Sequence, residues 1–308
     1  MYRLIALVTL LGVVGCSGTT PYRDDYARHV SHGITSPFNT ESFRVVIAEG
    51  EQVDLRATYD NDNTVGDSSV LYQGGPGAAG LIAMVAQIGV HSSLVSSQRE
   101  EKLAAIQDAA NQQIQPLLDI ASTMTVAELI PASQSGWLAT ADTVAPLHIK
   151  PIFFSAQDMS EFGLKMVVWI PDPKGTKKRP DKYKNLLQVI GEPVDEATLA
   201  QLKSGNKQVL EQQLTGLLSI ALEMAHKATT GQYPQNTSTM QTYKLEKNGK
   251  LKVFRAAEVA STCQYTVVRD LRKWLIAMPK SQPASKTENA TATQNPPAPL
   301  ADSCYTRV

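Results

Sequence analysis

The chain has 308 residues, 43% of them hydrophobic, and its 29 basic and 29 acidic side chains give a formal net charge of zero. This is the composition of a globular protein, and it excludes a chain that is disordered throughout. The zero net charge argues against a nucleic-acid partner, because proteins that bind nucleic acid by electrostatic attraction normally carry a basic surplus. Three cysteines are too few for a scaffold built on disulfides.

The N-terminus has the features of an export signal. Arg3 adds positive charge, and residues 4–14 then form an uncharged run that is followed by Gly15 and Cys16. A run of this length is too short for a membrane-spanning helix, which needs about 20 apolar residues. It is typical of the apolar core of a signal peptide, which ends in a small residue before the cleavage site.

The tetrapeptide Val13-Val14-Gly15-Cys16 resembles the lipobox of bacterial lipoprotein precursors. The resemblance implies that residues 1–15 are a lipoprotein signal peptide and that Cys16 carries acyl chains such as palmitate, which makes the membrane a partner. Ser17, in place of an aspartate, is similar to the outer-membrane sorting pattern. The expected location is therefore the outer membrane of a bacterial cell envelope, facing the periplasm. An ordinary secretory signal with a cysteine nearby is the alternative.

The first half of the mature chain begins with a polar tether, residues 16–40, and alternation then predicts strands at 43–47, 53–57 and 69–73. Residues 68–98 contain no charged side chain. Within them, segment 78–95 predicts a helix with small residues four apart, either a core element or a surface for a partner or the bilayer. An amphipathic helix follows at 99–115, and Pro116 is expected to end it.

The second half predicts two paired strands, 147–154 and 164–170, the second closed by Pro171 and Pro173. A basic turn follows, which is either a solvated loop or a contact with anionic headgroups. Its six cations are Lys174, Lys177, Lys178, Arg179, Lys182 and Lys184. A short strand at 186–190, an amphipathic helix at 207–228 and a hairpin around Asn248-Gly249 come next. A last helix is predicted at 267–278, before a low-complexity tail at 280–308.

These elements predict an α+β fold, with antiparallel hairpins and several amphipathic helices in one domain at 41–279. No G-x-S-x-G motif occurs, and Gly75–Gly80 matches GxGxxG without the acidic strand end that a dinucleotide site requires. We therefore predict no catalytic residue, cofactor or metal site. The hypothesis is a non-enzymatic binding or structural role in the cell envelope, with another envelope protein as a candidate partner. The alternative is an envelope hydrolase with an unrecognised active site.

The cysteines left after lipidation of Cys16 are Cys263 and Cys304, and we predict that they form a disulfide in the oxidising periplasm. Closing this loop of about 42 residues would stabilise the fold by roughly 4 kcal/mol in the chain-entropy model. Two free buried thiols are the alternative. Peptide mapping without reductant should recover the linked pair, whereas free thiols, or Cys304 linked between two chains, would contradict the prediction.

Overall fold

The computed structural model of the chain describes residues 43–48, 52–59, 94–140, 142–143, 145–176, 179–234, 240–247 and 250–280. Cys16, Cys304, the predicted strand at 69–73, the tether and nearly all of the tail lie outside these ranges. So does the uncharged segment 78–95, except for its last two residues. The expectations for these parts stay predictions.

Nine strands of the described residues form one mixed sheet. They are β1 (Val45–Ile47), β2 (Leu55–Ala57), β3 (Leu147–Ser155), β4 (Glu161–Thr176), β5 (Arg179–Pro193), β6 (Gln241–Lys247), β7 (Lys250–Ser261), β8 (Tyr265–Asp270) and β9 (Leu275–Pro279). The order across the sheet is β1-β3-β4-β5-β9-β8-β7-β6, and β2 also pairs with β3. The pairs β1–β3, β2–β3 and β5–β9 are parallel. A mixed sheet with a few helices is compatible with the α+β class.

Four α-helices and one 3₁₀ helix accompany the sheet in the described part of the chain. They are α1 (Leu94–Gln113), α2 (Gln115–Ala121), the 3₁₀ helix Ala132–Trp137, α3 (Glu196–Lys203) and α4 (Lys207–Thr229). Asp195 caps α3 by accepting a hydrogen bond from Thr198 N at 2.9 Å. The predicted amphipathic helix at 207–228 is confirmed as α4. The residues that predicted its apolar face are all buried, namely Leu210, Leu214, Leu217, Ala221 and Ala225.

The helices pack against one face of the sheet. Their buried side chains join a main core cluster with alternate residues of the central strands, such as Leu164, Met166 and Val168 on β4. Successive side chains of a strand point to opposite faces, so the intervening residues lie on the second face. That face is also apolar, and Ile152 and Leu186 on it are completely buried. The central strands are therefore buried on both sides.

Lys165 is the unusual residue of the second face. It is only 4% exposed, and its Nζ lies 4.8 Å from the centroid of the Phe154 ring. An ammonium group over an aromatic face is stabilised by the ring quadrupole, more so where water is excluded. The second face thus accommodates a buried cation, Lys165, and the buried amide of Gln188 opposite it, among mostly apolar side chains.

The edge of β2 that faces away from β3 is hydrogen-bonded to side chains of α1. Asn111 Oδ1 accepts from Ala57 N at 2.9 Å, and Gln107 Nε2 donates to Ala57 O at 2.9 Å. The two amides are also joined to each other, Gln107 Nε2 to Asn111 Oδ1, at 2.8 Å. On β1, Ala139 N donates to Val45 O at 2.9 Å. The backbone N–H and carbonyl of Ala57 and the carbonyl of Val45, which a further strand would pair, are therefore already satisfied.

The predicted helix at 267–278 is wrong, because these residues form β8, a turn and β9. Asp270 Oδ1 accepts from Arg272 N at 2.9 Å and from Trp274 N at 2.8 Å, and Lys273 adopts a φ of 67°. An aspartate that bonds to following backbone N–H groups stabilises a turn rather than a helix. Leu271, counted on the predicted helical face, is 70% exposed in that turn.

The predicted end of the helix just before Pro116 is confirmed, and a second helix begins there. Helix α1 ends at Gln113, and the proline lies in the first turn of α2. The first helical positions make no intrahelical bond through their N–H groups, so a proline there costs no hydrogen bond. Pro116 thus separates the two helices, because it cannot continue α1 but fits the first turn of α2.

Candidate functional site

The β4–β5 hairpin extends beyond the strands on either side of it. Pairing of β3 with β4 ends at His148 and Trp169, and β9 pairs with β5 only at residues 187–189. Beyond these points the two strands of the hairpin still pair at Ile170–Tyr183 and Pro171–Asp181 and, after an irregularity, at Thr176–Arg179. We call residues 170–184, the projecting part of this hairpin, the basic arm.

The basic arm corrects the prediction of a turn at 174–184. Pro171 and Pro173 were expected to close β4, yet the strand continues to Thr176. Pairing is irregular on both sides of Pro171, and beyond Trp169 this strand has no β3 residue opposite it. Proline is tolerated at such edge and bulge positions, since no ladder bond from its missing N–H is lost. The described cations of this stretch, Lys174, Arg179, Lys182 and Lys184, consequently lie along a hairpin instead of within one loop.

Two lysines present their charge to solvent on the basic arm. Lys174 and Lys182 are exposed, and neither takes part in an ion pair of the described residues. Lys184 is half-buried, and its Nζ lies 3.5 Å from Asp181 Oδ2. Lys177 and Lys178 fall outside the described ranges, as does the side chain of Arg179. The arm therefore combines exposed cations with one cation that is internally paired.

Stacked rings lie where the basic arm leaves the sheet. His148 and Trp169 are opposite each other on β3 and β4, with ring centroids 5.4 Å apart and ring planes 20° from parallel. Aromatic pairs on neighbouring strands stabilise a sheet through such side-chain contacts. The stack holds the base of the arm to its last β3 partner.

Arg269 lies on the helix-facing side of the sheet, near the base of the basic arm. Leu187 on β5 is opposite Leu275 on β9, which is opposite Arg269 on β8, so the three side chains share one face. Tyr183 precedes Leu187 by four residues and therefore points to the same face. Tyr233 follows α4 and belongs to the same core cluster as Tyr183. We call Arg269, Tyr183 and Tyr233 the Arg269 cluster.

The electrostatics of the Arg269 cluster are those of a buried polar group. Burial raises the pKa of Tyr183 to about 12, and it raises the pKa of Tyr233 as well. Burial also lowers the pKa of Arg269, an effect that the two tyrosines oppose. Both phenols are therefore protonated at neutral pH and can donate a hydrogen bond.

The predicted disulfide residue Cys263 lies in the exposed turn between β7 and β8. Its predicted partner, Cys304, and the predicted lipidation residue, Cys16, are outside the described ranges. The structure thus describes one of the three cysteines, Cys263, which is disulfide-bonded, and the identity of its partner stays a prediction.

Two further properties of the described residues concern metal ions and the membrane. Within the described ranges, no group of three or more His, Cys, Asp or Glu side chains is placed to hold a metal ion. None of the described helices combines the length and the apolar character needed to cross a membrane. Comparison with protein-family models, with curated proteins and with solved structures found no match to the chain.

Sequence reasoning found the cations of the basic arm but missed the Arg269 cluster. The basic arm was visible because its cations lie within a few residues of one another. Arg269, Tyr183 and Tyr233 are far apart in the sequence, and only the pairing of β5, β9 and β8 brings two of them to one face. No spacing pattern in the sequence signals such a group.

Proposed function

We propose that the chain is an outer-membrane-anchored periplasmic lipoprotein with a non-enzymatic role, whose basic arm binds anionic lipid headgroups at the membrane surface. The observation that carries this proposal is the projection of the arm beyond its neighbouring strands, with Lys174 and Lys182 exposed on it. Long cationic side chains on a projecting hairpin can contact a flat charged surface, whereas side chains on the rest of the sheet are held further from it.

The strength of this lipid contact depends on the anchor. Attraction to anionic lipid contributes about 1 kcal/mol for each Lys or Arg near the surface, which is weak for a freely diffusing protein. A flexible tether the length of residues 16–40 spans about 28 Å on average, so lipidation at Cys16 would keep the body close to the bilayer. Because the contact is then effectively intramolecular, a few lysines suffice.

Lysine footprinting tests the proposed contact on the full-length protein. The protein is reconstituted into zwitterionic vesicles and into vesicles with added anionic lipid, and its lysines are acetylated by a water-soluble reagent. We expect Lys174 and Lys182 to react about fivefold less in the anionic vesicles, which corresponds to about 1 kcal/mol. Lys203, exposed on α3, is the matched control and should react equally in both.

Salt provides a second check on the same samples. Protection of the arm lysines should disappear in high salt, because exposed charges are screened there. Equal acetylation of Lys174 and Lys182 in the two kinds of vesicle would contradict the proposed lipid contact. Protection seen in intact cells but in neither vesicle would instead indicate a protein partner, and would contradict it too.

A further inference from the structure

One half-buried guanidinium group in the described part of the chain lacks a carboxylate partner. Arg269 Nη1 donates to Pro234 O at 2.9 Å, whereas its Nε is buried with no hydrogen-bond partner among the described residues. None of the ion pairs within that part includes Arg269. A desolvated cation in this state is costly unless an anion accompanies it.

The hydroxyl group of Tyr183 is in the same condition. Tyr183 is 2% exposed, and its Oη has no hydrogen-bond partner of good geometry among the described residues, although the Asn185 side chain is near enough to lower its pKa. Tyr233, 4% exposed, completes the Arg269 cluster through Pro234, its neighbour in sequence and the acceptor of the Arg269 bond. Buried polar groups in proteins almost always have partners, so an unpaired hydroxyl and an unpaired guanidinium N–H on the same face of the sheet point to a bound group.

We propose that the Arg269 cluster binds the carboxylate group of a small-molecule ligand. One guanidinium balances the single negative charge of a carboxylate, and its planar N–H edge matches the two carboxylate oxygens. The Tyr183 hydroxyl supplies a further donor, which remains protonated at neutral pH. The bond from Nη1 to Pro234 O is solvent-exposed, so the ligand enters from that side.

The chain's own carboxylates do not fill this role among the described residues. Glu223 is close enough to raise the pKa of Tyr233, but its Oε1 lies 2.5 Å from Lys227 Nζ on the same helix. No aspartate or glutamate contributes to the pKa of Arg269. The inference does not depend on the membrane contact proposed above, because it uses different side chains on the buried face of the sheet.

Acetate is the probe, and the thermal unfolding of the full-length protein in a nonionic detergent is the measurement. At constant ionic strength, replacing chloride by acetate at ten times its dissociation constant should raise the melting temperature by about 3–6 °C. Arg269→Gln should abolish the rise. Tyr183→Phe, which removes one donor and little volume, should weaken acetate binding by calorimetry about fivefold. Lys203→Gln, a charge loss on the exposed side of α3, should leave it unchanged.

Several results would overturn the proposal. The first is an equal melting temperature in acetate and chloride for the unsubstituted protein. The second is acetate binding by Tyr183→Phe that equals that of the unsubstituted protein, a comparison that holds even if Arg269→Gln does not fold. The third is stabilisation by inorganic phosphate with none by acetate, which would assign the site to another class of anion. Lysine footprinting of the basic arm is independent of all three.

Discussion

Adding a single methyl group at Gly191, through Gly191→Ala, is expected to lower the free energy of unfolding by about 3 kcal/mol. A Cβ atom at this position of β5 would lie 2.6 Å from the carbonyl oxygen of Phe162 on β4. It would also meet Leu217 of α4 at 3.5 Å. The oxygen belongs to the backbone, so the clash is relieved only by moving one of the two longest strands.

The position of Gly191 explains why the strands approach so closely there. The pairing of β4 with β5 is irregular between Glu161 and Gly163, and Phe162 lies at this irregularity. A bulge redirects the backbone of one strand relative to its partner. The carbonyl of Phe162 then occupies the space in which a side chain at 191 would stand.

Gly216→Ala is the matched control. Gly216 lies in α4 with no atom within 4 Å of an added Cβ, so the change should stabilise the protein by about 0.5–1 kcal/mol through helix propensity. Chemical denaturation of both variants measures the two effects. If the free energy of unfolding of Gly191→Ala equals or exceeds that of the unsubstituted protein, the predicted clash is wrong.

Cys16→Ser is expected to abolish lipidation and to release the protein from the membrane. Each buried methylene contributes about 0.8 kcal/mol, so two or three acyl chains retain a protein on a bilayer where one chain would not. Metabolic labelling with a palmitate analogue should detect lipid on the unsubstituted protein and none on Cys16→Ser. Fractionation after a carbonate wash should move the variant from the membrane pellet to the supernatant.

Cys263→Ser is the control for the site of the label, because it removes a different cysteine, whose predicted disulfide with Cys304 plays no part in lipidation. It should keep both the label and the membrane location. Label on Cys16→Ser would show that the lipobox reading is wrong. A Cys16→Ser protein without label that still pellets would point to a second membrane contact, for which the uncharged segment 78–95 is the candidate.

Local patterns predicted those parts of the fold that depend on local physics. The periodicity of α4 and the Asn-Gly signal between β6 and β7 each concern residues that are neighbours in the sequence, and the structure confirms both elements. The interpretation of residues 267–278 failed because Val267, Leu271, Trp274 and Met278 also fit a helical spacing. Two strands of six and five residues are too short for period-two alternation to dominate.

The remaining parts of the fold and the site depend on contacts between distant residues. Val45 pairs with Leu147, and Leu187 with Leu275, and no local pattern specifies which strands become neighbours. The placement of Arg269 beside the base of the basic arm follows from the second of these pairings. The clustered charges predicted a basic segment. Its extended shape depends on the pairing of β4 with β5, which resumes at Thr176 after the two prolines.

The engagement of β1 and β2 by residues outside the sheet bears on self-association. An exposed strand edge is a template on which another chain can add a strand, and proteins commonly block such edges. Here Asn111 and Gln107 occupy the groups of Ala57, and Ala139 occupies Val45 O. The opposite edge strand, β6, carries Lys244 exposed to solvent, and a lysine at an edge disfavours the addition of a strand. Both margins of the sheet are thus protected against aggregation, one by side-chain amides and the other by charge.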